Sequence, residues 1–397
     1  MLSQGSFLVL FAIVMLEIHI ECDAQDSDVK LAEANNRFGL KLFKELSSAS
    51  TESNLFFSPT SISIALAMLY AGARGNTETE LSTALGLSAA GLTRESTLAS
   101  YKKILQELQT DGVSLDLANA VVVQKKLKVM EGYQRDLVEK FAAKFWSVDF
   151  ATETSTAVSE INDWVKNKTR GQIPDIAGPE INPDTVMVLL NAVYFKGLWE
   201  TSFNPNLTAL HPFYNRGSME VSVETMQLTG NLLYTSEPDL KSQAIQLPYK
   251  GGQHCMVIVL PNDKMGLADL GKAMTVENIE KIDKNLKETK VAISLPKFKL
   301  ETKYGLNPIL QKLGLNSIFS GGDFSGITSD AGLVVSEVKH KAAIEVNEEG
   351  TVAGAATEVV AIKAPMNPTF VADHPFLFYI REKATGRVLF MGEVYEL

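Results

Sequence analysis

The sequence predicts an α+β protein built around one large hydrophobic core. Three observations carry this prediction. The chain has 397 residues, of which 45% are hydrophobic; its N-terminal half shows apolar residues at helical spacing; and its C-terminal half shows the alternation and apolar runs typical of strands. Helices that come first and strands that come later favour an α+β fold over repeated β-α-β units.

Residues 1–24 are predicted to be a secretory signal peptide. Phe7 to Ile20 is almost entirely apolar, and Ala24 supplies a small residue for cleavage, although the segment before the apolar run has no Lys or Arg. The run is too short to span a membrane comfortably, and no other stretch approaches about twenty apolar residues. We therefore expect a soluble, secreted, extracellular protein without membrane contact.

Three helices are predicted in the N-terminal half. The second begins sharply, because Ser58 can cap it and Pro59 fits the first turn, and it ends at Gly72. Thr77 and Glu80 are predicted to form a capping box for the third helix. The apolar positions of the first helix are Leu31, Ala34, Phe38, Leu42 and Leu46.

Several strands are predicted in the C-terminal half. Thr185–Phe195 is nearly continuous apolar sequence, as expected for a strand buried on both faces. Val291–Leu295 alternates large apolar with smaller residues, and Phe376–Glu382 with Arg387–Val394 is predicted to form a hairpin.

Cysteine usage and sequons agree with secretion without disulfides. Removal of the signal would leave Cys255 as the only cysteine, and its apolar neighbours predict a buried structural thiol. Asn167 and Asn206 lie in glycosylation sequons.

Composition and motifs argue against nucleic-acid binding and give no sign of catalysis. The net charge is −10, whereas nucleic-acid and glycosaminoglycan binders normally present a basic face. The chain has five histidines but no nucleophile elbow, zinc pair, P-loop or dinucleotide motif. We expect no metal and no cofactor. The members of a Ser/His/Asp triad need not be near in sequence, so a secreted hydrolase stays open at this point.

The most informative segment follows Glu348 near the C-terminus. In an extended conformation alternate side chains share a face, and here one face is small or apolar throughout while Glu358 falls on the other. A loop that stayed in solvent would not need this pattern, so the segment is predicted to be able to become a buried strand. The residues of the small face are Thr351, Ala353, Ala355, Thr357, Val359 and Ala361.

Seven motifs, in order along the chain, resemble those of the serpins, a family of serine-protease inhibitors. The resemblance covers roughly residue 30 to the C-terminus, and the Glu345–Gly350 stretch is similar to that of arthropod extracellular serpins. The motifs are Asn54–Pro59 with Ser61, Asn191–Trp199, Leu295–Phe298, Asp323–Ile327, Glu348–Thr351, His374–Phe376 and Phe390–Gly392.

The resemblance implies a single serpin domain, residues 25–397, with about eight or nine helices and three β-sheets. It also implies an exposed reactive loop at about 348–372. The protein would be a monomeric suicide-substrate inhibitor of extracellular serine proteases and not an enzyme. A cut loop would insert into the central sheet and trap the acyl-enzyme. The alternative within the family is a non-inhibitory carrier or chaperone.

The resemblance also assigns site residues. Trp199 would be the breach tryptophan. The shutter, a polar network beneath the point where sheet strands part, would be Ser58, Ser61, Asn191 and His340. The hinge that enters the sheet first would be Glu348, Glu349, Gly350, Thr351, Val352, Ala353, Gly354, Ala355 and Ala356.

The scissile bond is predicted to be Lys363-Ala364. The commonest family spacing from Gly350 points to Ala364-Pro365 instead, but a proline after the scissile residue blocks most serine proteases. Lys363 suits the acidic pocket of trypsin-like enzymes. Cleavage near Val360 or Ile362 by elastase-like enzymes is a minor alternative.

Overall fold

The computed structural model describes residues 4–50, 52–108, 112–350 and 368–397, with side chains from residue 26 onward. That part of the chain contains nine α-helices and fourteen strands. The helices are α1 (Gln4–Ala49), α2 (Pro59–Gly72), α3 (Gly75–Ala84), α4 (Arg94–Glu107), α5 (Glu131–Phe141), α6 (Phe150–Lys168), α7 (Leu267–Ala273), α8 (Val276–Asn285) and α9 (Asn307–Lys312). The strands are β1 (Leu55–Phe57), β2 (Val113–Gln124), β3 (Lys144–Val148), β4 (Met187–Gly197), β5 (Ala209–Asn215), β6 (Met219–Glu237), β7 (Ser242–Pro248), β8 (His254–Pro261), β9 (Lys287–Pro296), β10 (Phe298–Gly305), β11 (Glu337–Val346), β12 (Thr369–Val371), β13 (Phe376–Glu382) and β14 (Val388–Val394).

Helix α2 begins and ends where the sequence predicts. The Ser58 side chain accepts a hydrogen bond from the Ser61 amide, Pro59 occupies the first turn, and the helix ends at Gly72. All of its residues are buried, as expected for a helix that is apolar all round. It contacts α1, β4 and β14, so it lies beneath both sheets.

The predicted capping box of α3 is wrong. The helix begins at Gly75, two residues before Thr77, and has no side-chain cap. Thr77 is buried and its hydroxyl accepts from the Asp323 amide at 2.8 Å. Glu80 accepts from the Ser317 amide at 2.8 Å. Both side chains accept hydrogen bonds from the backbone of a distant segment and do not cap the start of their own helix.

The five-stranded sheet has the order β10-β11-β4-β2-β3 and separates two apolar layers. Because side chains alternate along a strand, Val121 and Val123 of β2 enter the main core. Ala120 and Val122 instead pack in a second cluster that includes Ile161 of α6. Helix α6 therefore covers one face of this sheet, and the main core lies against the other.

The remaining strands form one nine-stranded network in which two groups share β6. The C-terminal end of β6 pairs with β7 and leads to β8, β13, β14 and β1. Its N-terminal end pairs with β5, and its middle pairs with β9, which leads to β12. The expected three sheets are thus present as three strand groups, two of them hydrogen-bonded through one long strand.

Other local predictions are also confirmed. Strands β13 and β14 form the antiparallel hairpin, and β4 is the buried strand predicted at Thr185–Phe195. Cys255 is buried, and this burial raises the pKa of its thiol. Within the described part of the chain, no helix is long and apolar enough to cross a membrane.

Candidate functional site

The centre of the five-stranded sheet is a parallel seam. Strands β11 and β4 are direct neighbours there, paired from Glu337 opposite Val188 to Ile344 opposite Phe195. Parallel pairing is slightly less stable per residue than antiparallel pairing. A segment that followed β11 and folded back between the two strands would lie antiparallel to both of them.

The chain makes this reversal immediately after β11. Asn347 and Gly350 exchange two backbone hydrogen bonds, of 3.1 and 3.2 Å. Gly350 also forms an antiparallel bridge with Leu198, the residue after β4. Its φ is +115°, and an added Cβ would lie 2.2 Å from the Gly197 carbonyl oxygen. Only glycine fits this position between the extensions of the two seam strands.

Trp199 fastens the start of the loop to the end of β4. Its indole Nε1 donates to the Asn347 carbonyl at 3.0 Å, and its amide donates to the Glu349 carbonyl at 3.0 Å. The ring stacks on Tyr249 with a centroid distance of 4.6 Å and meets Phe203 edge-on at 6.5 Å. The predicted breach tryptophan therefore lies buried against residues 347–350, which we call the loop root.

Glu348 is held by its side chain as well. The Thr208 hydroxyl donates to Glu348 Oε1 at 2.8 Å, and Lys297 Nζ lies 3.4 Å from the same oxygen. Burial alone would raise the pKa of Glu348, but its own backbone amide, Thr208 and Lys297 outweigh burial and lower that pKa. An ionised Glu348 therefore connects the start of the loop to Lys297, the residue between β9 and β10.

The four predicted shutter residues lie together beneath the seam. His340 of β11 is in register with Asn191 of β4, and its Nδ1 lies 2.6 Å from Asn191 Oδ1. Ser58 donates its amide to His340 Nε2 at 3.2 Å, and Asn191 donates its side-chain amide to Ser61 Oγ. All four are buried. The network joins both seam strands to the first turn of α2.

The hydrogen bonds fix the protonation of His340. Because Nε2 accepts from Ser58, the ring proton must lie on Nδ1, from which it is donated to Asn191. Complete burial lowers the pKa of His340 to about 3. The ring is therefore neutral at physiological pH, and an imidazolium would have no acceptor at Nε2.

Two further residues of this region, Asn119 and Tyr304, were not predicted from the sequence. Asn191 also donates to Asn119 Oδ1 of β2 at 2.6 Å, and the Tyr304 ring of β10 stacks on His340. Asn119 interrupts an otherwise apolar strand, Leu117–Val123, and that interruption was a usable signal. Nothing in the pattern of β10 distinguishes Tyr304.

Ion pairs hold the segment between α6 and β4 against the face of the seam that lies opposite the main core. Lys339 Nζ lies 2.7 Å from Glu180, and Lys341 Nζ lies 2.7 Å from Glu301 and 3.2 Å from Asp175. Asp175 and Glu180 belong to the segment that joins α6 to β4, so this segment is anchored across β11.

The predicted glycosylation sites lie on the surface, whereas most of the hinge and the scissile bonds are not described. Asn167 and Asn206 are exposed, and Thr208 of the second sequon is the residue that contacts Glu348. Hinge residues 351–356 and both candidate scissile bonds, Lys363-Ala364 and Ala364-Pro365, lie outside the described residues.

Comparison with known proteins identifies the family. The model of the serpins (serine protease inhibitor) matches residues 33–397, so the chain belongs to the serpin family. It is similar to Iripin-2 of Ixodes ricinus, with 44% identity over 96% of this chain and 97% of that one. It is also similar to intracellular coagulation inhibitor 2 of Tachypleus tridentatus, with 38% identity over 96% and 95% of the two chains. Among solved structures, Serpin48 of the insect Tenebrio molitor matches with a TM-score of 0.82 and 32% identity, over 93% and 98% of the chains.

Proposed function

We propose that the protein is a secreted inhibitor of serine proteases, chiefly trypsin-like ones, that traps its target by inserting a cleaved loop between β11 and β4. The observation that carries this proposal is Gly350, which already bridges Asn347 on one side and Leu198 on the other. It occupies the place of the first residue of an added antiparallel strand.

The chain that follows Gly350 is suited to continue that strand. Its alternate residues from Thr351 to Ala361 are small or apolar, which limits the overpacking and desolvation that bulky or charged side chains would cause. About fourteen residues at about 3.3 Å each would span about 46 Å. Two antiparallel pairings would replace one parallel pairing, and this gain favours insertion.

The chemistry of trapping begins as ordinary proteolysis. The protease serine oxygen attacks the scissile carbonyl, the peptide bond breaks, the amine leaves with a proton, and an acyl ester remains. Insertion then pulls the ester-linked protease along the sheet. Displacement of the acyl group from the oxyanion hole removes much of the stabilisation that deacylation needs.

Lys363 is the proposed bait residue. Its side chain complements the acidic specificity pocket of trypsin-like proteases, and Ala364 leaves the following amide accessible. Secretion belongs to the same proposal and is supported by the signal-like residues 1–24 and by the two exposed sequon asparagines, Asn167 and Asn206.

The test is incubation of the protein with trypsin, and separately with elastase, followed by denaturing gels. We expect an adduct of higher mass that survives denaturation. Clean loop cleavage without an adduct would refute the inhibitory function and favour the carrier alternative. Proteolytic activity without added protease would indicate an enzyme instead.

A Lys363→Ala variant tests the bait residue separately. It should lose inhibition of trypsin while retaining any inhibition of elastase. The matched control is Lys126→Ala, at an exposed position just beyond the end of β2 that is remote from Gly197. If Lys363→Ala traps trypsin as fast as the parent does, the bait assignment is wrong although the inhibitory mechanism stands.

A further inference from the structure

A groove of about 560 Å³ lies on the side of the molecule formed by α1, the end of α3 and the segment that joins α7 to α8. Its lining residues belong neither to the seam nor to the loop root. The volume falls within the range of about 300–1,000 Å³ that is typical of small-molecule sites. The groove is therefore large enough to hold a ligand that inhibition does not require.

Small residues create this groove. Ala34 of α1, Ala84 of α3 and Gly86, Ala89 and Ala90 after α3 all line it. Gly86 has φ +74°, and an added Cβ would lie 3.5 Å from the Ala34 Cβ, in van der Waals contact with it. Larger side chains at these positions would fill the space between the helix and the loop.

The floor of the groove is apolar. Phe38, Leu40 and Met274 line it, and each is almost completely buried, so their packing belongs to the main core and the floor is rigid. Val276, at the start of α8, adds a half-exposed apolar wall. Because Phe38, Leu40 and Met274 are already buried, the apolar surface that a hydrocarbon chain would remove from water is that of Val276, Ala89 and Ala90.

One rim of the groove carries three cations. Arg37, Lys41 and Lys44 follow each other at spacings of four and three residues, which places them on one face of α1. The acidic neighbour Glu45 pairs with Lys312 at 3.1 Å, and no carboxylate lies within 4.0 Å of Lys41 or Lys44 among the described residues. Two unneutralised ammonium groups beside an apolar groove stand out in a chain of net charge −10.

The other end of the rim is acidic. Glu33 and Glu277 line it, and Arg37 lies near enough to Glu277 to lower its pKa, together with larger contributions from the backbone amide of Glu277 and from Thr275. A bound anion would therefore place its charge at the Lys41 and Lys44 end. From Glu33 to Lys44 the helix rises about 16 Å.

We propose that this groove binds a free medium- to long-chain carboxylic acid. The carboxylate would contact Lys41 and Lys44, and the chain would lie over Phe38 along the small residues of α1 and the α3 loop. A polyanion lacks the apolar part that the floor requires, and an amphipathic helix exceeds the volume.

Binding of the fluorescent probe dansyl-undecanoic acid tests the proposal, with dodecanoate, dodecanol and inorganic sulfate as competitors. We expect saturable binding that dodecanoate displaces better than either dodecanol or sulfate. Sulfate as effective as dodecanoate would show a charged patch only, and dodecanol as effective would show that the lysines do not select the ligand. Either result would overturn the proposal.

Variants locate the site. Lys41→Glu with Lys44→Glu should weaken binding about tenfold or more, whereas Lys166→Glu with Lys168→Glu on exposed positions of α6, with the same charge change, should not. Ala90→Trp should fill the groove and abolish binding at an unchanged thermal midpoint. Ala89→Phe, at an exposed rim position, replaces it if Ala90→Trp does not fold. Equal losses in the two charge variants, or normal binding by the filled variant, would refute the assignment.

Discussion

In the nine-stranded sheet, β13 and β8 pair antiparallel over six residues, and every residue of β8 is buried. In the five-stranded sheet, β11 and β4 pair parallel, and a histidine faces an asparagine in the middle of the seam. The apolar side chains that hold β8 and β13 together attract each other without regard to direction. No other segment nearby could replace them. A polar network is strong when complete and costly when partly broken. The nine-stranded sheet is therefore built to stay closed, whereas the five-stranded sheet is held closed by hydrogen bonds that can be exchanged.

Cleavage of the reactive loop should produce the largest difference between the sheets. An inserted strand would complete the five-stranded sheet and leave the nine-stranded one unchanged, so the cleaved protein should melt at a markedly higher temperature than the intact one. Calorimetry of both forms measures this effect. The cleaved Thr351→Arg variant is the control, because a buried unpaired guanidinium would block insertion. Equal melting temperatures of intact and cleaved parent protein would contradict loop insertion.

Removal of Asn191 should have the next largest effect. Asn191→Ala removes the hydrogen-bond partner of His340 Nδ1, Ser61 Oγ and Asn119 Oδ1 and should cost about 3 kcal/mol of unfolding free energy. It should also allow β11 and β4 to separate before the loop is cleaved. The fraction of molecules that form a protease adduct, measured on denaturing gels, should then fall.

The matched control for Asn191→Ala is Val257→Ala on β8. Val257 is fully buried, and its truncation should cost a similar 2–3 kcal/mol, roughly, by forming a cavity. It should leave the fraction of adduct-forming molecules unchanged. If both variants lose adduct formation equally, general stability rather than the seam governs inhibition.

The two sheets should also respond to pH in opposite directions, with a smaller effect on the unfolding free energy than the substitution of Asn191. His340 has a folded pKa of about 3 and an unfolded pKa of about 6.5. Between these values the unfolded state binds more protons, so the unfolding free energy falls by up to about 1.4 kcal/mol per unit as pH is lowered. The seam should therefore be acid-sensitive.

Glu393 of β14 should act in the opposite direction. Burial raises its pKa to about 7, only partly opposed by the hydrogen bond from Ser47, against about 4.3 when unfolded. Its contribution is fully present below about pH 4.3 and falls by up to about 1.4 kcal/mol per unit as pH rises to about 7. Thermal midpoints across this range should become flatter on the acid side in His340→Gln and on the alkaline side in Glu393→Gln. If plots of thermal midpoint against pH were parallel for the parent and both variants, His340 and Glu393 would not be the groups that cause this pH dependence.

Sequence alone predicted most of the fold because its local signals agreed with the tertiary structure. The cap at Ser58, the end of α2 at Gly72 and the β13–β14 hairpin all depend on neighbours in sequence. The capping box at Thr77 failed because its side chains bond to residues more than two hundred positions away. No local pattern can reveal such partners.

The candidate site was predictable in part for the same reason. Resemblance supplied His340, Asn191, Ser58 and Ser61, and the structure brings their side chains together. It could not supply Tyr304, whose contact with His340 depends on the register of β10 with β11.

The position of Gly350 fixes which loop residue would reach the polar network. Seven residues separate Leu198 from Asn191, and seven separate Asn347 from His340. A strand continued from Gly350 without a bulge therefore brings Thr357 level with both, on the face that is otherwise small or apolar. Insertion would move Asn191 and His340 two strand spacings apart, about 9.6 Å, and break their hydrogen bond. The Thr357 hydroxyl would arrive between them at that moment, able both to donate and to accept. The bait loop would thus carry the replacement for the contact it destroys.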